Sequence, residues 1–87
     1  MEITIDQALK KGIEAHKAGN AQEADRYYTA ILKNQPGHPD ANHNMGVLAV
    51  NIGKEEESIF FFKKALETNP KITQFWLSYL NALIKLG

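Results

Sequence analysis

The chain has no cysteine, so disulfide staples and thiolate metal sites are ruled out for its 87 residues. Nowhere does an uninterrupted apolar run approach the roughly 20 residues that a membrane-spanning helix needs, so no membrane role is expected. Charge of one sign is not in excess either. Ten Lys and Arg face ten Asp and Glu, for a formal net charge of +0. Nucleic-acid binders carry a clustered basic surplus, and here the lysines are dispersed among acids, so nucleic acid is not an expected partner. The segment Met1-Glu2-Ile3-Thr4 lacks the basic and apolar stretches of a secretory leader, and a cytoplasmic location is the expectation. Proline is scarce, three residues in all, and each falls where a helix is expected to stop or start.

What is present is a period. Gly19, Gly53 and Gly87 are spaced by 34 residues each. The same 34-residue offset joins Gly12 to Gly46, Glu23 to Glu57, Leu32 to Leu66, Pro36 to Pro70 and Tyr28 to Phe62, and runs from Ala15 through Ala49 to Leu83. A single recurrent glycine carries little weight, but agreement of many positions on one offset marks an internal repeat.

Each period reads as a helical hairpin. Thr4 and Gln7 form a capping box that opens a helix over 5–18. Ala8, Gly12 and Ala15 recur on one face of it, small enough for a neighbouring helix to approach closely. Gly19 ends that helix, because glycine takes a left-handed cap without strain. Asn20 with Glu23 opens the next, over 21–34, whose apolar stripe is Ala24, Tyr28, Ile31 and Leu32. Pro36 and Pro39 bracket a turn, Pro39 suiting a first helical position. The plan then repeats: 39–51 with Met45, Gly46 and Ala49 inward, and 54–68 with Ile59, Phe62, Ala65 and Leu66 inward. A fifth helix over 72–86 carries Trp76, Leu80 and Leu83 at core spacing. In the run Phe60-Phe61-Phe62, Phe62 falls on the core stripe, Phe61 is expected against the fifth helix, and Phe60 points away.

These units resemble the tetratricopeptide repeat, with Gly12, Ala24, Tyr28 and Pro36 on family positions in the first, and Gly46, Phe62, Ala65 and Pro70 in the second. Trp76 and Gly87 begin and end a half unit. Departures include Ala8, Lys11, Ala15 and Ile31 in the first unit, Met45 and Ser58 in the second, and Tyr79 and Leu80 in the last. The resemblance implies an all-α fold, an α-α superhelical solenoid of five antiparallel-paired helices. It also implies one domain over 1–87, made of repeats over 5–38 and 39–72 and a half repeat over 73–87.

In that family the first helix of each pair lines a concave groove, and the expected function is protein–protein interaction: a partner peptide or helix held in that groove. Mapped onto this chain, the first helix supplies Leu9, Ile13, His16 and Lys17, beside Asp6 and Lys10. The third supplies Asp40, His43, Asn44, Val47, Val50 and Asn51. The fifth supplies Leu77 and Asn81, beside Gln74, Ser78, Ile84 and Lys85. Leu9, Ile13, Val47, Val50 and Leu77 would make an apolar floor edged by polar groups, which suits an amphipathic helix or an extended peptide. The alternative use of such residues is to complete packing, or to touch further parts of a longer protein.

Some family activities do not carry over. Chaperone-binding members clamp a terminal carboxylate with Lys, Asn and Arg. Here Leu9, Ile13, Gln74 and Ser78 stand at four of those places and only Asn44 matches, so a carboxylate clamp is not expected. An asparagine ladder fails likewise, with Lys10 and Ser78 at the places equivalent to Asn44.

His16 and His43 with Asp40 offer no third convergent metal ligand, and His38 reads as a turn residue. No nucleophile–base–orienter set and no phosphate-cradling glycine loop is present. Neither enzyme activity nor a cofactor or metal is expected. Two further readings compete with the groove. Trp76, Leu80 and Leu83 lie on a helix without its usual following partner, so an exposed apolar face there would favour homodimers. A non-catalytic piece of a larger transferase-type enzyme is the other.

Overall fold

The computed structural model describes residues 3–87. Five helices follow one another, α1 (Ile5–Lys17), α2 (Ala21–Asn34), α3 (Pro39–Asn51), α4 (Glu55–Thr68) and α5 (Thr73–Leu86), with no strand among the described residues. The fold is the all-α repeat expected from the 34-residue period.

Local chemistry sets the helix ends. Thr4 Oγ1 accepts from the Gln7 backbone N–H at 3.0 Å while Gln7 Oε1 accepts from the Thr4 N–H at 2.9 Å, a complete capping box. Asn20 Oδ1 accepts from the Glu23 N–H at 3.2 Å and opens α2. Gly19 and Gly53 sit at φ +80° and +79°, a conformation that side-chain-bearing residues rarely adopt. Around each, the following N–H reaches back five residues, Asn20 to the Ala15 carbonyl and Lys54 to the Ala49 carbonyl, both at 2.8 Å. These are Schellman endings, repeated in the two units.

Three boundaries move inward by one residue from the sequence expectation. Ala18 is the C-cap of α1, while Lys54 and Ile72 are the N-caps of α4 and α5. Each lies at a helix end where the outermost residue makes only half of the helical bonding. Neither Lys54 nor Ile72 supplies a side-chain cap; α4 instead has Glu55, Glu56 and Glu57 in its first turn, where carboxylates favour the helix dipole.

The helices pack as two hairpins and a single helix. Tyr28 and Phe62, one period apart, are fully buried at 0% and 1% exposure. Each ring lies against the glycine of its partner helix, Gly12 for Tyr28 and Gly46 for Phe62. Burying a side chain of this size contributes about 1.5–3 kcal/mol. A cluster of Ala15, Ala24, Tyr28, Met45 and Leu48 joins the first unit to α3, with Leu9 and Phe61 packed against it. A second, of Ala8, Ile31 and Ala41, closes the other end of that junction. A third, of Ala65, Leu66 and Phe75 with Tyr79 alongside, seats α5 on α4.

Two expectations about the second half are corrected here. Phe61 packs on the α1–α3 cluster and not on α5, because the helical turn from the buried Phe62 swings its neighbour toward the preceding unit. Trp76, Leu80 and Leu83 are not core residues: they remain 43%, 48% and 39% exposed, and α5 buries Phe75 and Ala82 instead. The face carrying Trp76, Leu80 and Leu83 corresponds by the 34-residue offset to Asn42, Gly46 and Ala49 of α3, which α4 covers. On α5 that face has no covering helix among the described residues. Phe60 is exposed and meets Phe61 edge-on at 5.4 Å.

Candidate functional site

The first helices of the units meet along one face. Two hydrogen bonds tie them together, and both span 35 residues: Asn51 Nδ2 donates to His16 Nε2, joining α3 to α1, and His43 Nε2 pairs with Ser78 Oγ, joining α3 to α5, each at 2.7 Å. Because the repeat offset is one residue shorter, each bond connects a position to the one just past its equivalent in the next unit. They are rungs between neighbouring helices.

Between α3 and α5 lies a hollow of about 220 Å³ lined by Val47, Val50, Asn51, Phe62, Ser78, Asn81, Ala82 and Lys85. Its floor is apolar, from the two valines and the edge of Phe62. Its rim holds two amides, a hydroxyl and one lysine, with no carboxylate. Such a surface accommodates an aliphatic side chain below and peptide backbone groups above.

The residues expected at this face are distributed as follows. Val47, Val50, Asn51 and Asn81 line the hollow. Asp40, Lys17 and Leu77 are exposed and lie outside its lining, while Ile13 and Asn44 are half-buried. Leu9 is half-buried too, but its side chain packs against both clusters that join α1 to α3, so it serves the core as well as the face. His16 is occupied by Asn51. His43 is half-buried: its ring stacks on Phe75 at 4.7 Å and tilts against Phe62 at 5.6 Å. Desolvation at this three-helix junction pulls its pKa below the ordinary imidazole value, against the opposing pull of a hydrogen bond with Asn44 and the charge of Asp40. Its ring is engaged by Phe62, Phe75 and Ser78.

Sequence reasoning missed several groups. His38 is the N-cap of α3, its Nδ1 accepting from the Ala41 N–H at 3.1 Å. Asn42 is 2% exposed and donates from Nδ2 to the carbonyls of Pro36 and His38, both at 3.0 Å. Ala82 and Phe62 complete the hollow beside Ser78, which the sequence already set at this face, and their signal was available: Ala82 adjoins Asn81, and Phe62 is the aromatic that packs on Gly46. Trp76 donates from Nε1 to the Pro70 carbonyl at 2.7 Å, pinning its indole over the turn after α4. A separate hollow of about 350 Å³ opens at the α1–α2 end, over Ile3, Ile5, Ala8, Tyr27, Ala30 and Ile31. Among the described residues no group of three or more His, Asp or Glu side chains converges as a metal site, and no helix is long and apolar enough to cross a membrane.

Hairpins each closed by a glycine–aromatic contact at a 34-residue period, stacked with their first helices sharing an open face, define an α-helical repeat array. Residues 39–72 match the tetratricopeptide repeat family. That segment belongs to the tetratricopeptide repeat family, and a protein-interaction role is typical of such repeats. The chain is also similar to two proteins named photosystem I assembly protein Ycf3. That of Prochlorococcus marinus (strain NATL2A) is 38% identical over 65 residues, covering 71% of this chain and 38% of the relative. That of Prochlorococcus marinus (strain NATL1A) is 37% identical over the same length, with the same coverage. The chain therefore spans 38% of the length of these curated relatives.

Proposed function

We propose that residues 1–87 act as one protein-interaction module, non-catalytic and part of a larger assembly or scaffold, that holds a peptide or helix of a partner protein on the face shared by α1, α3 and α5. The observation that carries this is the hollow over Val47, Val50 and Phe62, rimmed by Asn51, Asn81 and Lys85. The relatives are, by their names, assembly proteins, and the coarse role taken from them is to hold a protein partner while a complex is built. The reading keeps the cytoplasmic setting expected from the sequence. A photo-reactive residue at Asn81 should cross-link to a partner protein in the native extract, and the same residue at exposed Lys33 on α2 should not. Cross-linking from Lys33 alone would reject the face.

A second reading has its own observation. The exposed apolar row Trp76, Leu80 and Leu83 on α5 is the kind of surface that pairs two copies of a chain. Sedimentation equilibrium tests it directly, and a monomer at every concentration reached would dismiss it.

A further inference from the structure

The face shared by α1, α3 and α5 has two unlike edges. At the start of these helices the equivalent positions are Asp6, Asp40 and Gln74; at their ends they are Lys17, Asn51 and Lys85, each set stepping by 34 residues. Asp6, Asp40, Lys17 and Lys85 are all exposed. Within one helix the two edges are 11 residues apart, as from Asp6 to Lys17, which is three turns and returns to the same side. At a rise of 1.5 Å per residue the edges lie about 16 Å from each other. Ile13 and Val47 occupy the strip between them, half-buried and apolar. An α-helix with its side chains is about 10–12 Å wide, so a helix laid across α1, α3 and α5 fits between the edges with its apolar stripe down.

We propose that this face selects an amphipathic helix whose apolar stripe is flanked by acidic residues on one side and basic residues on the other, and that the two edges fix the direction in which that helix lies. The inference rests on the groove reading above and adds to it the charge pattern and orientation of the occupant. Acidic side chains of the ligand face Lys17 and Lys85; basic ones face Asp6 and Asp40. Rotating such a helix end for end exchanges its flanks, so only one direction satisfies both edges. The same charges also favour the dipoles of their own helices, and the experiment separates the two uses.

The probes are three designed helical peptides of about 14 residues with one shared leucine stripe: split flanks of Glu and Lys, Glu on both flanks, and Lys on both. The split peptide should bind about fivefold to tenfold more tightly than either uniform one, and the preference should shrink in about 1 M salt, where screening shortens the reach of charges to about 3 Å. A nitroxide on its N-terminus should broaden resonances of either α1 or α5, and exchanging the two flanks in the peptide should move the broadening to the opposite helix. In a Lys17→Glu/Lys85→Glu variant, with helicity verified by circular dichroism, the Lys-flanked peptide should become the tightest. Equal binding of all three peptides, or an unchanged label position, would overturn the directional inference and leave the groove standing. No binding by any peptide to the folded chain would remove the groove reading and this inference with it.

Discussion

Phe62 lies on Gly46 so closely that a β-carbon added to the glycine would meet its Cδ1 at 2.6 Å. The ring is 1% exposed and held on α4 by the helices around it, so it has nowhere to move. Real Cβ atoms essentially never come within 3.0 Å of a neighbour, so the helices themselves must part. Gly46→Ala should therefore cost about 1–3 kcal/mol of stability, although alanine favours helix over glycine by about 1 kcal/mol. Chemical denaturation measures it. Phe62→Leu in the same chain should restore part of the loss, and a Gly46→Ala chain as stable as the parent would contradict the packing.

Tyr28 repeats that contact on Gly12, with one difference. Its hydroxyl is buried and has no hydrogen-bond partner among the described residues, and burial raises its pKa above the ordinary phenol value. One period later the same position is Phe62, which has no hydroxyl. Tyr28→Phe removes a desolvated polar atom and keeps the ring, so stability should hold or rise by about 1 kcal/mol. A loss of more than that in thermal melts would mean that the hydroxyl is satisfied.

His43 makes the junction of α3, α4 and α5 sensitive to acid. Its folded pKa is lowered, so folding favours the neutral ring. The stability it contributes is complete above the unfolded imidazole value of 6.5 and declines as the pH falls through the lower folded value. Denaturation midpoints should therefore drop on acidification, with resonances of α5 responding first because the charged ring is stacked on Phe75 there. His43→Gln, which can still meet Ser78 but does not titrate, should flatten that slope. An unchanged slope in the variant would move the acid sensitivity to other groups.

The first four helices were legible because their punctuation is local. Thr4 with Gln7, Asn20 with Glu23, and the glycines at 19 and 53 state where helices begin and end, and Gly12 and Gly46 state which face another helix touches. In α5 that logic fails. Leu80 replaces the glycine, and apolar residues surround the helix: Phe75, Trp76, Leu77, Tyr79, Leu80, Leu83, Ile84 and Leu86. A stripe found all the way round does not choose a side; contact with α4 chose Phe75, Tyr79 and Ala82. Leu9 showed only one of its two uses for a related reason, since a residue at the margin of a buried stripe serves both the core and the open face. The rungs were hidden because His16–Asn51 and His43–Ser78 depart from the repeat offset by one residue. The hollow itself was partly legible, through Val47, Val50, Asn51 and Asn81.

Asn42 gives the sharpest test of how the second unit is attached to the first. By position it matches Ala8 of α1 and Trp76 of α5, so neither repeat logic nor hydropathy reveals its work. Its amide nitrogen, almost fully buried, bridges the carbonyls of Pro36 and His38, fixing the turn that leads into α3. Asn42→Ala removes both side-chain bonds, taking the donor from the Pro36 carbonyl while the His38 carbonyl keeps the Asn42 backbone N–H, a loss of about 1 kcal/mol. Asn42→Asp keeps the shape but points a carboxylate at the same two carbonyl oxygens, replacing attraction by repulsion in a poorly solvated place. At neutral pH the aspartate chain should be the less stable of the two in urea titrations. If the two variants unfold together, the bridge is a minor contact and the turn is held by Pro36 and the His38 cap alone.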